Sequence, residues 1–146
     1  MARYYQGLFK PSNPQKYKGD PSNIVYRSSL EFKFMREMDN NPSVLEWSSE
    51  EIIVPYRSPI DNKVHRYFPD FYVKKRNFSS GIIECLLVEI KPKSQTKPPK
   101  VQAKPNKKYL TEVATWGKNK AKWDAADKYC KSRGWNFVVI TEEHLN

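Results

Sequence analysis

A chain of 146 residues has room for one domain with a hydrophobic core, and not comfortably for two. No apolar run approaches the ~20 residues of a bilayer span, the N-terminus is too polar for a secretory leader, and two cysteines without a CxxC pair exclude a disulfide framework and point to a reducing compartment. Lys and Arg outnumber Asp and Glu by 26 to 16, so the natural partner is a polyanion or an anionic surface.

In chain order, residues 1–23 carry Arg3, Lys10, Lys16 and Lys18 and no acid before Asp20. Pro11, Pro14 and Pro21 make this an extended basic arm draped over the domain. "YRSSLEFKFMREMDNNP" then takes helical spacing: Leu30, Phe34 and Met38 fall four apart, and Pro42 ends the pattern. "EEIIVPYRS" reads as a short strand, with Pro55 at an edge, followed by a turn at Pro59, Asp61 and Asn62. "VHRYFPDFYVKKR" and "IIECLLVEIK" form a hairpin around "NFSSG".

Residues 93–106 are rich in proline and lysine and poor in core residues, the composition of a mobile loop. A helical pattern runs from about Lys107 to Arg133, with an interruption at Gly117. Trp123, Ala126 and Cys130 form its later apolar stripe, and Gly134 stops it. "WNFVVI" is the last strand. The expectation is an α/β chain, residues 1–146 in one domain, with element order αβββαβ and a mixed β-sheet flanked by helices.

The chemistry gathers on the hairpin. Side chains alternate along a strand, so Glu89 and Lys91 share a face while Val88 and Ile90 take the other. If the turn centres at residues 79–80, antiparallel pairing sets Asp70 opposite Glu89, with Cβ atoms ~5 Å apart. Two carboxylates that close repel each other unless a cation separates them. Mg²⁺ suits the position, with Mn²⁺ as a substitute: Asp70, Glu89 and the Ile90 carbonyl supply oxygens, and Lys91 supports the attacking water or the transition state. An ordinary cross-strand charge patch stands as the alternative. Glu31 has two readings of equal standing: the third residue of a capping box begun at Ser28, or a further carboxylate of the metal site. Lys91, Lys93, Lys97, Lys100, Lys104, Lys107 and Lys108 run to Thr111 without an acid. Tyrosines interleave with the basic groups, a pattern that favours a nucleic-acid backbone over a membrane.

Pro69-Asp70, Glu89-Ile90-Lys91 and Glu31 on the preceding helix resemble the PD-(D/E)xK nuclease superfamily. "KYKGDPSNIVYRSSLEFKF", "NPSVLEWSSEEIIVPY", "RYFPDFYV", "VEIKPKSQTKPP" and "KWDAADKYCKSRGWNFVVITEEHL" together resemble the head-completion nucleases of tailed phages. That resemblance implies a restriction-endonuclease-like fold and Mg²⁺-dependent DNA cleavage while filled capsids are finished. It implies the cytoplasm of an infected host, or the virion, as the location, and capsid or portal-neck proteins as further partners. Asp70 and Glu89 become metal ligands, Lys91 the catalytic lysine and Glu31 the helix carboxylate. Arg27, Ser28 and Lys93 become contacts to DNA phosphates. A junction resolvase or transposon-end endonuclease shares this constellation, and a DNA-binding neck protein without catalysis is the competitor from another class.

Overall fold

The computed structural model describes residues 6–145. Four strands form the central sheet in the order β3 (Val44–Ser49), β6 (Phe71–Arg76), β7 (Ile83–Ile90), β8 (Asn136–Ile140). β6 is antiparallel to both β3 and β7, and β8 runs parallel to β7. With α1 (Ser29–Asn40) before β3 and α2 (Lys107–Lys131) between β7 and β8, the core is αβββαβ, the mixed α/β order expected and consistent with a restriction-endonuclease-like fold.

Both faces of the sheet are covered, which is why β7 reads as a nearly continuous apolar run. Phe71, Val73, Val88 and Ile90 face α1, packing with Phe34, Met35 and Trp47. Tyr72 and Leu87, of the other parity, face α2 and meet Ala126 and Cys130. The helix α2 continues through Gly117 without the expected break. It ends where anticipated: Gly134 takes φ +70°, and the Trp135 N–H turns back onto the Cys130 carbonyl at 2.8 Å.

Three local expectations change. The basic N-terminal arm is part of the core among its described residues: β1 (Gly7–Phe9) pairs with β2 (Ile24–Tyr26), and Phe9, Tyr17 and Ile24 are buried. Arg3 lies outside the described residues. Asp39 fastens this segment to α1, accepting the backbone N–H groups of Ser12 and Asn13 at 2.7 and 2.9 Å. The Lys16 ammonium donates to the carbonyls of Met38, Asp39 and Asn41 at the same helix end, where a cation is favoured by the helix dipole. Asp39→Ala removes the acceptor of two part-buried N–H donors and should cost about 1–3 kcal/mol, measured by urea unfolding.

The second change is β3 itself, a strand between the end of the helical pattern at Pro42 and "EEIIVPYRS", where no element was expected. The third is a break in "VHRYFPDFYVKKR". Its first half, β5 (Val64–Tyr67), pairs with β4 (Val54–Arg57) in a separate two-stranded sheet, and its second half is β6. Pro69 has no N–H for a ladder, so the chain changes sheets at Pro69-Asp70. Residues 93–106 contain one 3₁₀ turn, Lys93–Gln95, and no other regular element.

Candidate active site

The β6–β7 register runs from Arg76 opposite Ile83 to Phe71 opposite Val88. Continued by one pair, it sets Asp70 opposite Glu89. Parity then sends both carboxylates to the α2 face, at the end of the hairpin where β6 enters the sheet. Asp70 Oδ2 accepts the Ile90 N–H at 2.7 Å. Glu89 is 6% exposed; its Oε2 accepts the Tyr67 hydroxyl at 2.5 Å, and its Oε1 lies 3.5 Å from the Lys91 ammonium. The backbone N–H of Lys91 donates to the Ile140 carbonyl at 3.0 Å, so β8 fixes the base of that side chain.

Burial pushes the Asp70 carboxyl up to about 8, and the neighbouring Glu89 charge pushes the same way. Burial raises Glu89 too, against the Tyr67 hydrogen bond and the Lys91 charge. A pair of acids held out of water and set against each other is an unfavourable arrangement for the protein alone, and a cation between them relieves it. Among the described residues no three His, Cys, Asp or Glu side chains cluster closely enough to hold an ion. The donor set is therefore the two carboxylates with the Ile90 carbonyl. That set fits Mg²⁺, which uses one or two carboxylates and fills its octahedron with water and substrate oxygens.

Glu31 stands beside this pair rather than in it. Its N–H donates to Ser28 Oγ at 3.1 Å, the first half of the capping box. Its Oε2 accepts the N–H of Arg27, not of Ser28, at 2.7 Å, so the second half is displaced by one residue. Burial raises the Glu31 carboxyl, and its charge helps to raise Asp70, which places it within electrostatic reach of the site. Glu31→Gln keeps an acceptor for the Arg27 N–H but removes the charge. The expected result is a melting temperature close to wild type with a raised Mg²⁺ requirement for cleavage, read from melts and a cation titration on one variant.

Of the residues matched to DNA contacts, Ser28 is occupied as the cap of α1, and Arg27 pairs with Glu50 at 2.7 Å. Lys93 is not a second lysine on the strand: Pro92 follows the end of β7, and the Lys93 ammonium pairs with Glu143 at 2.8 Å while its N–H meets Glu142. Lys97, Lys100, Lys104, Lys107 and Lys108 lie on the surface, Lys97 to Lys104 in the loop. Lys97 and Lys100 line a cleft of about 710 Å³ against Thr111, Thr115 and Trp116 of α2. Lys107 and Lys108 occupy the first turn of α2, which has no acid; cations there oppose the helix dipole, and a bound phosphate would remove the conflict.

Three neighbours of the site carried no motif. Tyr67, at the end of β5, holds Glu89. Glu50 adopts φ +55°, uncommon for a residue with a side chain, and donates its N–H to the Asp70 carbonyl at 3.0 Å. Lys122 of α2 is half-buried, with Nζ 5.8 and 5.6 Å from the ring centres of Tyr56 and Tyr67. Its sequence signal was a lysine four residues before Ala126 and eight before Cys130, in line with the buried stripe.

Against known proteins, residues 41–142 match the TnsA-like endonuclease N-terminal family. The chain is also 39% identical to the head completion nuclease of Enterobacteria phage T4 over 145 residues, covering 97% of this chain and 93% of that protein. The family match spans β3 through β8 and so contains Asp70, Glu89 and Lys91, while the relative extends the similarity across α1. With a core of the αβββαβ order and paired carboxylates at the hairpin end, the chain belongs to the TnsA-like endonucleases and is a DNA endonuclease.

Proposed function

We propose that this endonuclease uses Mg²⁺, held by Asp70, Glu89 and the Ile90 carbonyl, to hydrolyse DNA phosphodiesters during completion of phage heads in the infected host cell. The observation that carries the chemistry is the buried Asp70–Glu89 pair with the Lys91 ammonium 3.5 Å from Glu89. When bound, the cation polarises a phosphoryl oxygen and makes a water a better nucleophile. Tyr67 and the Ile90 N–H each take one carboxylate oxygen, fixing how the acids are turned. Lys91, partly exposed and anchored by β8, stabilises charge on the phosphorane-like transition state. The head-completion setting rests on the similarity to the phage T4 nuclease along nearly the whole chain.

Supercoiled plasmid tests the reading: the protein should nick or linearise it with Mg²⁺ and leave it intact in EDTA. Cleavage in EDTA by protein freed of other nucleases would refute the metal requirement.

The lysines of the loop are assigned to the DNA backbone. Replacing Lys97, Lys100 and Lys104 by alanine should weaken binding to unrelated duplexes about equally, since phosphate contacts carry affinity without sequence preference. The slope of log affinity against log salt should flatten by up to ~0.9 for each phosphate no longer neutralised. An unchanged slope would mean that the loop does not touch DNA.

A further inference from the structure

We propose that Lys122 is a second cationic group of the active site that binds a phosphate of the substrate strand, with Tyr56 and Tyr67 as the aromatic seat that aims it. The inference rests on the reading of Asp70 and Glu89 as the cleavage site.

Lys118, Lys122, Ala126 and Cys130 follow one another at steps of four along α2, and so lie on one side of the helix. Ala126 and Cys130 are fully buried against the sheet. Continuing that row toward the N-terminus of α2 brings Lys122 over the carboxylate end of β7. A lysine that only needed solvation would sit on the opposite side of this helix. Instead its ammonium lies over two rings that meet edge to face, and one of these rings belongs to the tyrosine that donates to Glu89. Among the described residues it makes no salt bridge, while the charges of Glu89 and Asp70 act on it from farther away.

The local charge asks for an anion. The charges of Lys91 and Lys122 both reach Glu89, and Lys118 and Lys122 repel each other one turn apart. A divalent cation between the acids adds further positive charge. DNA is the anion such a site takes. Its path is also marked: Thr111 and Thr115, about two turns and one turn N-terminal to Lys118 on α2, line the cleft that Lys97 and Lys100 face. A strand laid along α2 would pass from the loop lysines to Lys118 and reach the carboxylates at Lys122. The cation–π seat holds the ammonium in place yet is weak enough for a phosphate to take over.

The competing explanation is that the aliphatic stem of Lys122 simply covers the two tyrosines. Lys122→Met keeps such a stem and removes the charge, which separates the two. The variant's affinity for duplex DNA is measured in EDTA across a salt series, and its single-turnover cleavage rate with Mg²⁺ at saturating DNA. The proposal predicts a salt slope lower by about 0.9 and a rate lower by about tenfold or more, with the melting temperature retained. An unchanged slope overturns it, whatever the rate. If Lys122→Met melts early, Lys122→Arg is read in the same assays: the slope should stay at the wild-type value, and a slope lower by about 0.9 overturns the proposal. Glu89→Gln is run beside them. Full cleavage by Glu89→Gln refutes the site itself, whereas an inactive Glu89→Gln beside an unchanged Lys122→Met refutes only the role of Lys122.

Discussion

Asp70→Asn should abolish cleavage and at the same time stabilise the metal-free protein. The loss of activity follows from removing one of two carboxylates that hold the cation, and should be about 10³-fold or more. The gain in stability follows from the same geometry. The Asp70 carboxyl is raised to about 8 in the fold, chiefly by burial and next by Glu89, against the usual value of about 3.9 in an unfolded chain. Between those values the folded protein holds a proton that the unfolded chain has released. This site's contribution to stability is therefore intact below about pH 4, falls as pH rises, and is fully lost above about pH 8. Asparagine can still accept the Ile90 N–H and has no charge to bury. The variant should gain about 1–3 kcal/mol at pH 8 and almost nothing at pH 4, by urea unfolding in EDTA. Mg²⁺ should stabilise the wild type more at pH 8 than at pH 5, and should not do so for the variant. A variant that cuts DNA normally, or is no more stable at pH 8 than the wild type, would remove Asp70 from the cation site.

Lys91→Ala should lower the cleavage rate about 10²–10⁴-fold while DNA affinity changes little. Lys91 is the cation nearest Glu89, and its backbone is fixed by the Ile140 carbonyl, so its ammonium is directed at the carboxylate pair. Lys91→Arg should recover only part of the rate, since a planar guanidinium does not replace a compact ammonium in a site this confined. Single-turnover rates at saturating DNA give the answer. A value for Lys91→Ala within a few-fold of wild type would place Lys91 in an ordinary surface pair with Glu89.

The hairpin that positions the site was legible in the sequence because two local signals agreed. The turn at "NFSSG" fixes the register, and apolar runs on either side fix which faces are buried; together they set Asp70 opposite Glu89. What the sequence concealed lies where tertiary contact outweighs local pattern. "PSVLEWSS" has too few alternating positions to declare a strand, and β3 forms because Trp47 and Val44 fill the core under α1. The N-terminal segment is polar and proline-rich, yet Phe9, Tyr17 and Ile24 bury themselves because Asp39 and Lys16 hold it against the helix end. Gly117 did not interrupt α2, where its missing side chain faces Pro59 across an ordinary contact.

The site was half legible for a similar reason. Asp70, Glu89 and Lys91 share one hairpin, so strand parity alone brings them together. Tyr67, Glu50 and Lys122 come from β5, from the residue after β3 and from α2, and only the packing of three separate elements places them around Asp70 and Glu89. Lys93 shows the limit of parity in the other direction: one proline ends the strand, and the next lysine turns to Glu143.

The central claim is that a divalent cation lies between Asp70 and Glu89, and diffraction from a crystal soaked in Mn²⁺ tests it most directly. The anomalous map should show a peak about 2.0–2.3 Å from an oxygen of each carboxylate and from the Ile90 carbonyl. An absent peak at that position, in a crystal whose protein still cleaves DNA with Mn²⁺, would contradict the shared cation.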